Sequence, residues 1–571
     1  MAQSLQSSSG GTYLAGFLQK TCLFTEEQIE QLLASARGGE KSITRLVAEG
    51  GYVAEEKFLE SAAQALNMAF LRLGEDVIEQ EVLDKLPPKA VFQYNVIPVA
   101  MENGFLMVAA NDPLSPGLLD ALRLAAGMRV RLVLSRADDI AKAAQKFYGI
   151  GADTVDRMMR DDRFEVEPET DVSRMDLDEL DQETSVVKFV NQIIWEACRQ
   201  GSTDIHFEPM ENQLRIRYRV DGALHQTPVP PQLNRFQAAI ISRIKVMANL
   251  DIAEKRLPMD GRIGLRVEGR EIDIRVSTMP TSYGESVSLR LLQSGGKVIN
   301  LEEAGMNERD CGLIRKIIRR PNGIVLVTGP TGSGKSTSLY SYLQEINTID
   351  QRILTAENPI EYEMAGVNQV LVRPEIGLTF AKALRSFLRQ DPDIIMVGEI
   401  RDLETAEIAI QASLTGHLVF STLHTNDAAG SFTRLVDMGV EPFLVASAVE
   451  AAVAQRLVRR LCMDCRRAAQ PDIESVREAG FPADRLSCSE LYEPEGCENC
   501  RGTGFRGRTG IFEVLRVTEA VESLIIARSA TSEIKQKALE EGMSPLRENG
   551  WEKVVNGVTS VEEVLRVTEE D

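Results

Sequence analysis

Hydrophobic spacing changes character several times along the chain, and each change marks a new region. From Tyr13 to about Leu73 the apolar positions fall at helical spacing. Leu18, Leu23, Ile29, Leu32 and Leu33 share one face, and Leu46, Val53, Phe58, Leu59 and Ala62 another. Thr25-Glu26-Glu27-Gln28 has the form of a capping box. From Val91 to Tyr148 the pattern is mixed. Short strands are predicted over 96–100, 105–109 and 130–134, and helices over 118–125 and 138–148. Val186–Gln200 reads as an amphipathic helix with Val187, Phe189, Val190, Ile193, Ile194 and Ala197 inward. Residues 214–220 alternate with period two and put arginines on one face, and Asp221-Gly222 is a turn that closes a hairpin. A helix over 236–247 and strands over 262–267, 271–276 and 286–292 complete an α+β pattern. Four runs made mostly of apolar or β-branched residues follow, at 324–328, 352–356, 394–397 and 418–422. Such runs are strands buried on both faces, as in a parallel sheet.

These changes divide the chain into a Ser/Gln/Gly-rich disordered N-terminus (1–12), an N-terminal α/β domain (13–150), a linker (151–185), an α+β domain (186–298) and an α/β domain (299–571). The last contains a cysteine-bearing insert over 460–510 and ends in a small helical tail. Charge sharpens one boundary. Of the net −21, a good part lies in residues 151–185, which hold thirteen acidic and four basic side chains and read as exposed. The acidic balance argues against nucleic acid as a ligand. No apolar run approaches the ~18 residues of a membrane span. The first residues predict no signal peptide, so a membrane role has to come through partners.

The chemistry begins where the first apolar run ends. Gly329-Pro330-Thr331-Gly332-Ser333-Gly334-Lys335-Ser336-Thr337 fits G-x-x-x-x-G-K-S/T between a strand and a helix start. Its glycines let backbone N–H groups curl around phosphate oxygens at a helix N-terminus. Lys335 suits the β- and γ-phosphates of ATP, and the Ser336 hydroxyl suits Mg²⁺. The other runs end in Glu357-Asn358-Pro359-Ile360-Glu361, in Gly398-Glu399-Ile400-Arg401-Asp402 and in Leu423-His424-Thr425. Ligands of a parallel sheet bind beyond the carboxyl ends of its strands, so Glu357, Glu399 and His424 are expected near the γ-phosphate. A carboxylate there can orient a water and take its proton, which points to hydrolysis.

Cys462-Met463-Asp464-Cys465 and Cys497-Glu498-Asn499-Cys500 are two C-x-x-C pairs with thirty-one residues between them. Four thiolates close a tetrahedral Zn²⁺ site with no open position, so the expected role is structural. A redox centre needs one such pair, not two. Cys22, Cys198, Cys311 and Cys488 are scattered, which fits a reducing cytoplasm rather than a disulfide framework.

Several stretches resemble the assembly ATPases of type II secretion and type IV pili. They are GPTGSGKST at 329–337, TAENPIE at 355–361, LRQDPDIIMVGEIRDLETA at 388–406 and TGHLVFSTLHTNDA at 415–428. Upstream, STDIHFEP, RVDG, MDGRI and DIRVSTMPTSYGES resemble the family's second N-terminal domain, and 91–150 its first more loosely. The resemblance implies a RecA-like P-loop ATPase domain behind a PAS-like domain and a regulatory or docking domain, assembled as a homo-hexamer. Gly398 replaces the Walker B aspartate of other ATPases and Glu399 carries the function, joined by Glu361 from the acidic box. Arg275 and Arg290 match arginines that approach nucleotide from the N-terminal lobe, and Arg385, Arg389, Arg401 and Arg434 match arginines around the cleft. An inner-membrane platform protein and a membrane-anchored docking protein are the implied partners, at the inner face of the cytoplasmic membrane.

Two departures stand out. Asn358 occupies a position that is usually aspartate, and the Arg-Leu-Gly repeats with which some relatives bind cyclic di-GMP are missing from 13–16 and 43–46, which argues against that ligand. The stretch GREIDIRVSTMPTSYGES resembles the type II branch, whereas STDIHFEP and VVKFVN fit the pilus branch equally. A type IV pilus extension ATPase and a regulatory nucleotide-binding scaffold with little turnover are the alternatives.

Overall fold

The computed structural model describes residues 14–37, 43–74, 78–112, 114–115, 117–149, 151–152, 154, 175–176, 185–267, 270–293, 299–469, 480–481 and 490–568. It divides into two compact units, Met1–Leu292 and Gln293–Asp571.

In the first unit, helices Glu26–Arg37, Ile43–Glu49 and Glu55–Leu66 close over Leu18, Ile29, Leu32, Phe58 and Leu59. The capping box forms: Thr25 N–H donates to Gln28 Oε1 at 3.0 Å and Gln28 N–H to Thr25 Oγ1 at 3.4 Å. A three-stranded sheet follows, Val96–Glu102 antiparallel to Phe105–Ala110, which is parallel to Val130–Leu134. The helix Ser185–Arg199 buries Phe189, Val190, Ile193, Ile194 and Ala197 in a core shared with a seven-stranded sheet. One edge of that sheet is Met175–Asp176, paired in parallel with Leu265–Arg266. Two residues of the expected linker are therefore part of the domain, and almost all the rest of 151–185 lies outside the described residues. The predicted hairpin joins Leu214–Val220 to Ala223–Thr227. Asp221 (φ 49°) and Gly222 (φ 85°) supply the two left-handed positions that such a turn requires.

The second unit is built on another seven-stranded sheet: β1 (Gly323–Thr328), β2 (Ile353–Glu357), β3 (Val367–Leu371), β4 (Ile394–Val397), β5 (Leu418–Leu423), β6 (Val449–Leu461) and β7 (Phe505–Arg516). The order is β3-β2-β4-β5-β1-β6-β7, parallel throughout except for the antiparallel β7. Helix α1 (Lys335–Ile346) leaves the glycine-rich turn after β1. The four apolar runs are central strands, as their composition predicts. The sequence pattern assigns no strand to 449–461 or 505–516, yet these are the two longest strands of this sheet. Val449–Leu461 is alanine-rich and compatible with a helix. Pairing with β1 on one side and β7 on the other overrides that local preference. Four helices, Glu519–Ile526, Thr531–Glu540, Leu546–Val555 and Val561–Thr568, complete the unit, matching the expected helical tail. Among the described residues no helix is long and apolar enough to cross a membrane.

Candidate active site and cysteine cluster

The carboxyl ends of β1, β2, β4 and β5 carry the residues singled out above. Gly329 sits at φ 145°, and a Cβ there would lie 2.5 Å from the Gln455 carbonyl oxygen on β6. The turn can therefore pass over β6 only as glycine. Gly334, at φ 90°, precedes the first residue of α1 and is equally restricted, with Gln455 Nε2 2.8 Å from where its Cβ would be. Lys335 Nζ donates to the Gly329 and Pro330 carbonyls at 2.8 and 3.0 Å. Burial pushes its ammonium down to about 8, with Glu399 opposing the drop and Arg456 adding to it. Pro330, Thr331, Gly332 and Ser336 are exposed, Thr337 is half-buried, and Ser333 is buried.

Glu399, just past β4, keeps 15% of its side chain exposed. Its Oε2 accepts from Arg401 Nε at 2.7 Å, and His424 Nε2 stands 3.7 Å away, in contact but beyond hydrogen-bond length. Burial, reinforced by Lys335 and Arg401 against the pull of Glu399, holds the His424 imidazole below its ordinary pKa, so it is neutral near pH 7. A Cβ on Gly398 would come within 3.3 Å of the Ala356 carbonyl oxygen, a tight contact. The loop after β5 is tied to β1: Thr425 N–H donates to Thr328 Oγ1 at 2.8 Å, and the two threonine hydroxyls are 2.7 Å apart.

Glu357 differs from Glu399. It is 3% exposed, and its carboxylate accepts from Tyr340 Oη, from Thr355 Oγ1 at 2.6 Å and from Gln369 Nε2 at 3.1 Å. Asn358 is exposed and Glu361 half-buried. The four arginines singled out in this unit sit on its surface. Arg385 pairs with Glu404, Arg389 donates to the Arg385 carbonyl at 2.6 Å, Arg401 meets Glu399, and Arg434 is exposed in the last turn of its helix. In the first unit, Arg290 Nε donates to Asp204 Oδ1 at 3.0 Å, and Arg275 lies across the ladder from Arg262.

Sequence reasoning missed four supporting side chains. Arg456, 7% exposed on β6, donates to the Asn426 carbonyl at 2.8 Å and to that of Gln455 at 3.2 Å. Gln455 Oε1 accepts from Ser338 on α1 at 2.7 Å. Glu513 on β7 accepts the Ala428 N–H at 2.9 Å, while Lys535 of the helical tail reaches Asp427 at 3.4 Å. The signal for the first two was the polar pair Gln455-Arg456 inside an otherwise apolar segment. Glu513 and Lys535 had no local signal.

The cysteines lie where β6 ends and shortly before β7 begins. Sγ separations are 3.8 Å for Cys462–Cys497, 3.7 Å for Cys465–Cys500 and 3.7 Å for Cys497–Cys500, with all four atoms within 4.8 Å of one another. A tetrahedron with Zn–S arms of about 2.3 Å has edges of about 3.8 Å, so the donor set fits zinc. Amides of Cys497 and Gly504 donate to Cys500 Sγ at 3.0 and 3.1 Å, and Gly496 N–H to Cys465 Sγ at 3.3 Å. Such bonds favour thiolates, the form that binds metal.

Comparison with known proteins matches this architecture. Residues 179–566 match the Type II/IV secretion system protein family and residues 66–154 the MshEN domain. The chain is 40% identical over 550 residues to the type IV pilus assembly ATPase PilB of Myxococcus xanthus, covering 95% of this chain and 97% of that one. It is 48% identical over 432 residues to the type II secretion system ATPase E of Vibrio cholerae, covering 76% and 84%. The X-ray structure of the Legionella pneumophila ATPase DotB superposes with a TM-score of 0.50 at 22% identity, over 70% of this chain and all of that one, a likeness of fold. By its sequence and by the fold that carries its phosphate loop, the chain belongs to the Type II/IV secretion system protein family and is an ATPase of secretion or pilus assembly.

Proposed function

We propose that the chain works as a cytoplasmic hexamer at the inner face of the membrane, hydrolysing ATP to drive assembly of pilin-like subunits through a platform protein. One observation carries the catalytic part. Glu399 keeps a carboxylate partly open to solvent beside His424, and its charge acts on Lys335. In this reading Lys335 leaves the Gly329 and Pro330 carbonyls for the β- and γ-phosphates, and residues 329–337 wrap the phosphates. Ser336 holds Mg²⁺, which neutralises phosphate charge when bound. Glu399 orients a water and takes its proton as the water oxygen bonds to the γ-phosphorus. The bond from that phosphorus to the β,γ-bridging oxygen breaks, giving ADP and phosphate. His424, Arg385, Arg389, Arg401 and Arg434 line the cleft, Glu357 and Glu361 belong to its acidic wall, and Arg275 and Arg290 bring charge from a neighbouring subunit.

The four cysteines hold one structural zinc. Within the family we favour the type II branch slightly, on the stretch GREIDIRVSTMPTSYGES. Steady-state phosphate release tests the core of the reading: wild-type turnover by Lys335→Ala would sink it. Affinity capture from gently solubilised membranes tests the branch, since secretion and pilus components are distinct partners.

A further inference from the structure

The side chain that joins the phosphate loop to the acidic box lies outside every motif. Tyr340 is on α1, five residues after Lys335, and is 1% exposed. Its ring meets that of Tyr362 edge-on, with centroids 5.6 Å apart. Its hydroxyl donates to Glu357 Oε2 and accepts from the Glu361 N–H at 3.2 Å, with the Tyr362 N–H at 3.5 Å. One oxygen thus ties together α1, the last residue of β2 and the backbone that carries Glu361. Gln369 on β3 closes the far side. Its Nε2 donates to Glu357 Oε1 at 3.1 Å and to the Tyr362 carbonyl at 2.9 Å, and its Oε1 accepts the Met364 N–H at 2.8 Å.

Glu357 therefore receives donors from Tyr340, Thr355 and Gln369 and is shut away from solvent. A carboxylate so occupied fixes its surroundings rather than greeting a ligand. The acidic box backbone has no regular secondary structure between Asn358 and Ala365, so these side-chain bonds set its path.

We propose that Tyr340 is a positioning residue for ATP hydrolysis, acting through Glu357 and the Glu361 backbone to fix the acidic box against the phosphate loop. The inference rests on the reading that the acidic box belongs to the ATP site. Tyr340→Phe in the full-length chain removes the hydroxyl and keeps the ring contact. Turnover should fall about tenfold, as expected when alignment rather than binding is disturbed. KM for Mg-ATP should stay within about twofold, because residues 329–337 are untouched. In a Glu361→Gln background the same change should cost less than about twofold, since a side chain acting through the acidic box loses its effect once that box is disabled.

A kcat within twofold of wild type for Tyr340→Phe would overturn the inference. So would a rise in KM at unchanged kcat, or a tenfold loss that persists in the Glu361→Gln background. Should Tyr340→Phe fail to fold, Gln369→Leu cuts the same network from the other side and faces the same three criteria. Failure of the underlying reading looks different: Glu361→Gln would then turn over like wild type while Lys335→Ala is inactive.

Discussion

Two glutamates close neighbouring strands of one sheet, and their surroundings assign them different work. Glu357, at the end of β2, is 3% exposed and receives three side-chain donors. Glu399, just past β4, has one short ion pair with an exposed arginine and a histidine in contact. In sequence the two look alike, each a glutamate after an apolar run. What separates them is the number of donors that tertiary structure brings to each. A carboxylate with open lone pairs can accept a proton from a reacting water, whereas one saturated by fixed donors holds a loop in shape.

Substitutions at the two glutamates separate these roles. The largest effect is expected from Glu399→Gln, which keeps shape and loses the charge that accepts a proton. Turnover should fall about 10²–10³-fold, the scale of a lost electrostatic or proton-accepting group. Filter binding of labelled ATP should remain near wild type, and loss of binding instead would make Glu399 a nucleotide ligand. Glu357→Gln should reverse the pattern. It leaves a buried donor without a charged acceptor, which costs about 1–3 kcal/mol of stability. A lowered melting temperature with a turnover loss of about tenfold or less is the expected result. A 10³-fold loss without a change in melting would give Glu357 the chemical role.

A third test varies pH. Lys335 has its free-state pKa near 8, and phosphate binding favours the charged ammonium. Binding at higher pH therefore requires proton uptake, and ATP affinity should fall as pH rises through about 8, by at most tenfold per unit. Titration of fluorescent ATP between pH 7 and 9.5 checks both sign and slope, and a flat profile would refute a depressed Lys335. The smallest effect on turnover is expected at the cysteines. Cys497→Ser should remove the bound zinc seen by metal analysis and lower thermal stability, because metal binding is coupled to folding of its loops. ATP turnover should drop only as far as the hairpin end braces β6. Full zinc retention in the variant would exclude Cys497 as a ligand.

How far the sequence could be read follows the same physics. The central strands and the phosphate loop were legible because a strand buried on both faces is mostly apolar or β-branched, and a loop that wraps phosphate needs its glycines at fixed offsets. The predicted hairpin at Asp221-Gly222 was legible for a similar reason, two positive φ values in a row. Val449–Leu461 was not. Its apolar positions fit either period, and only the neighbours β1 and β7 decide for a strand. Tyr340 was not legible either, because its partners lie seventeen and more residues away in the chain. Contacts of that kind leave no local pattern.

The closed end of the β6–β7 hairpin has a consequence for how the chain tolerates change in length. Leu461 pairs with Phe505, and the cysteine pairs beyond them hold Cys462 to Cys497 and Cys465 to Cys500 at 3.8 and 3.7 Å. The polymer between Cys465 and Cys497 thus starts and finishes at nearly the same point. That stretch is itself anchored: Arg467–Ala468 pair with Tyr492–Glu493, and Phe481 and Leu491 are buried against Trp551, Val554 and Val564 of the tail helices. A change in its length is therefore felt first by the tail helices, through Phe481 and Leu491. A reporter domain spliced there would have to spare both side chains, or it would strip Trp551 of the ring that Phe481 sets 5.2 Å from its own.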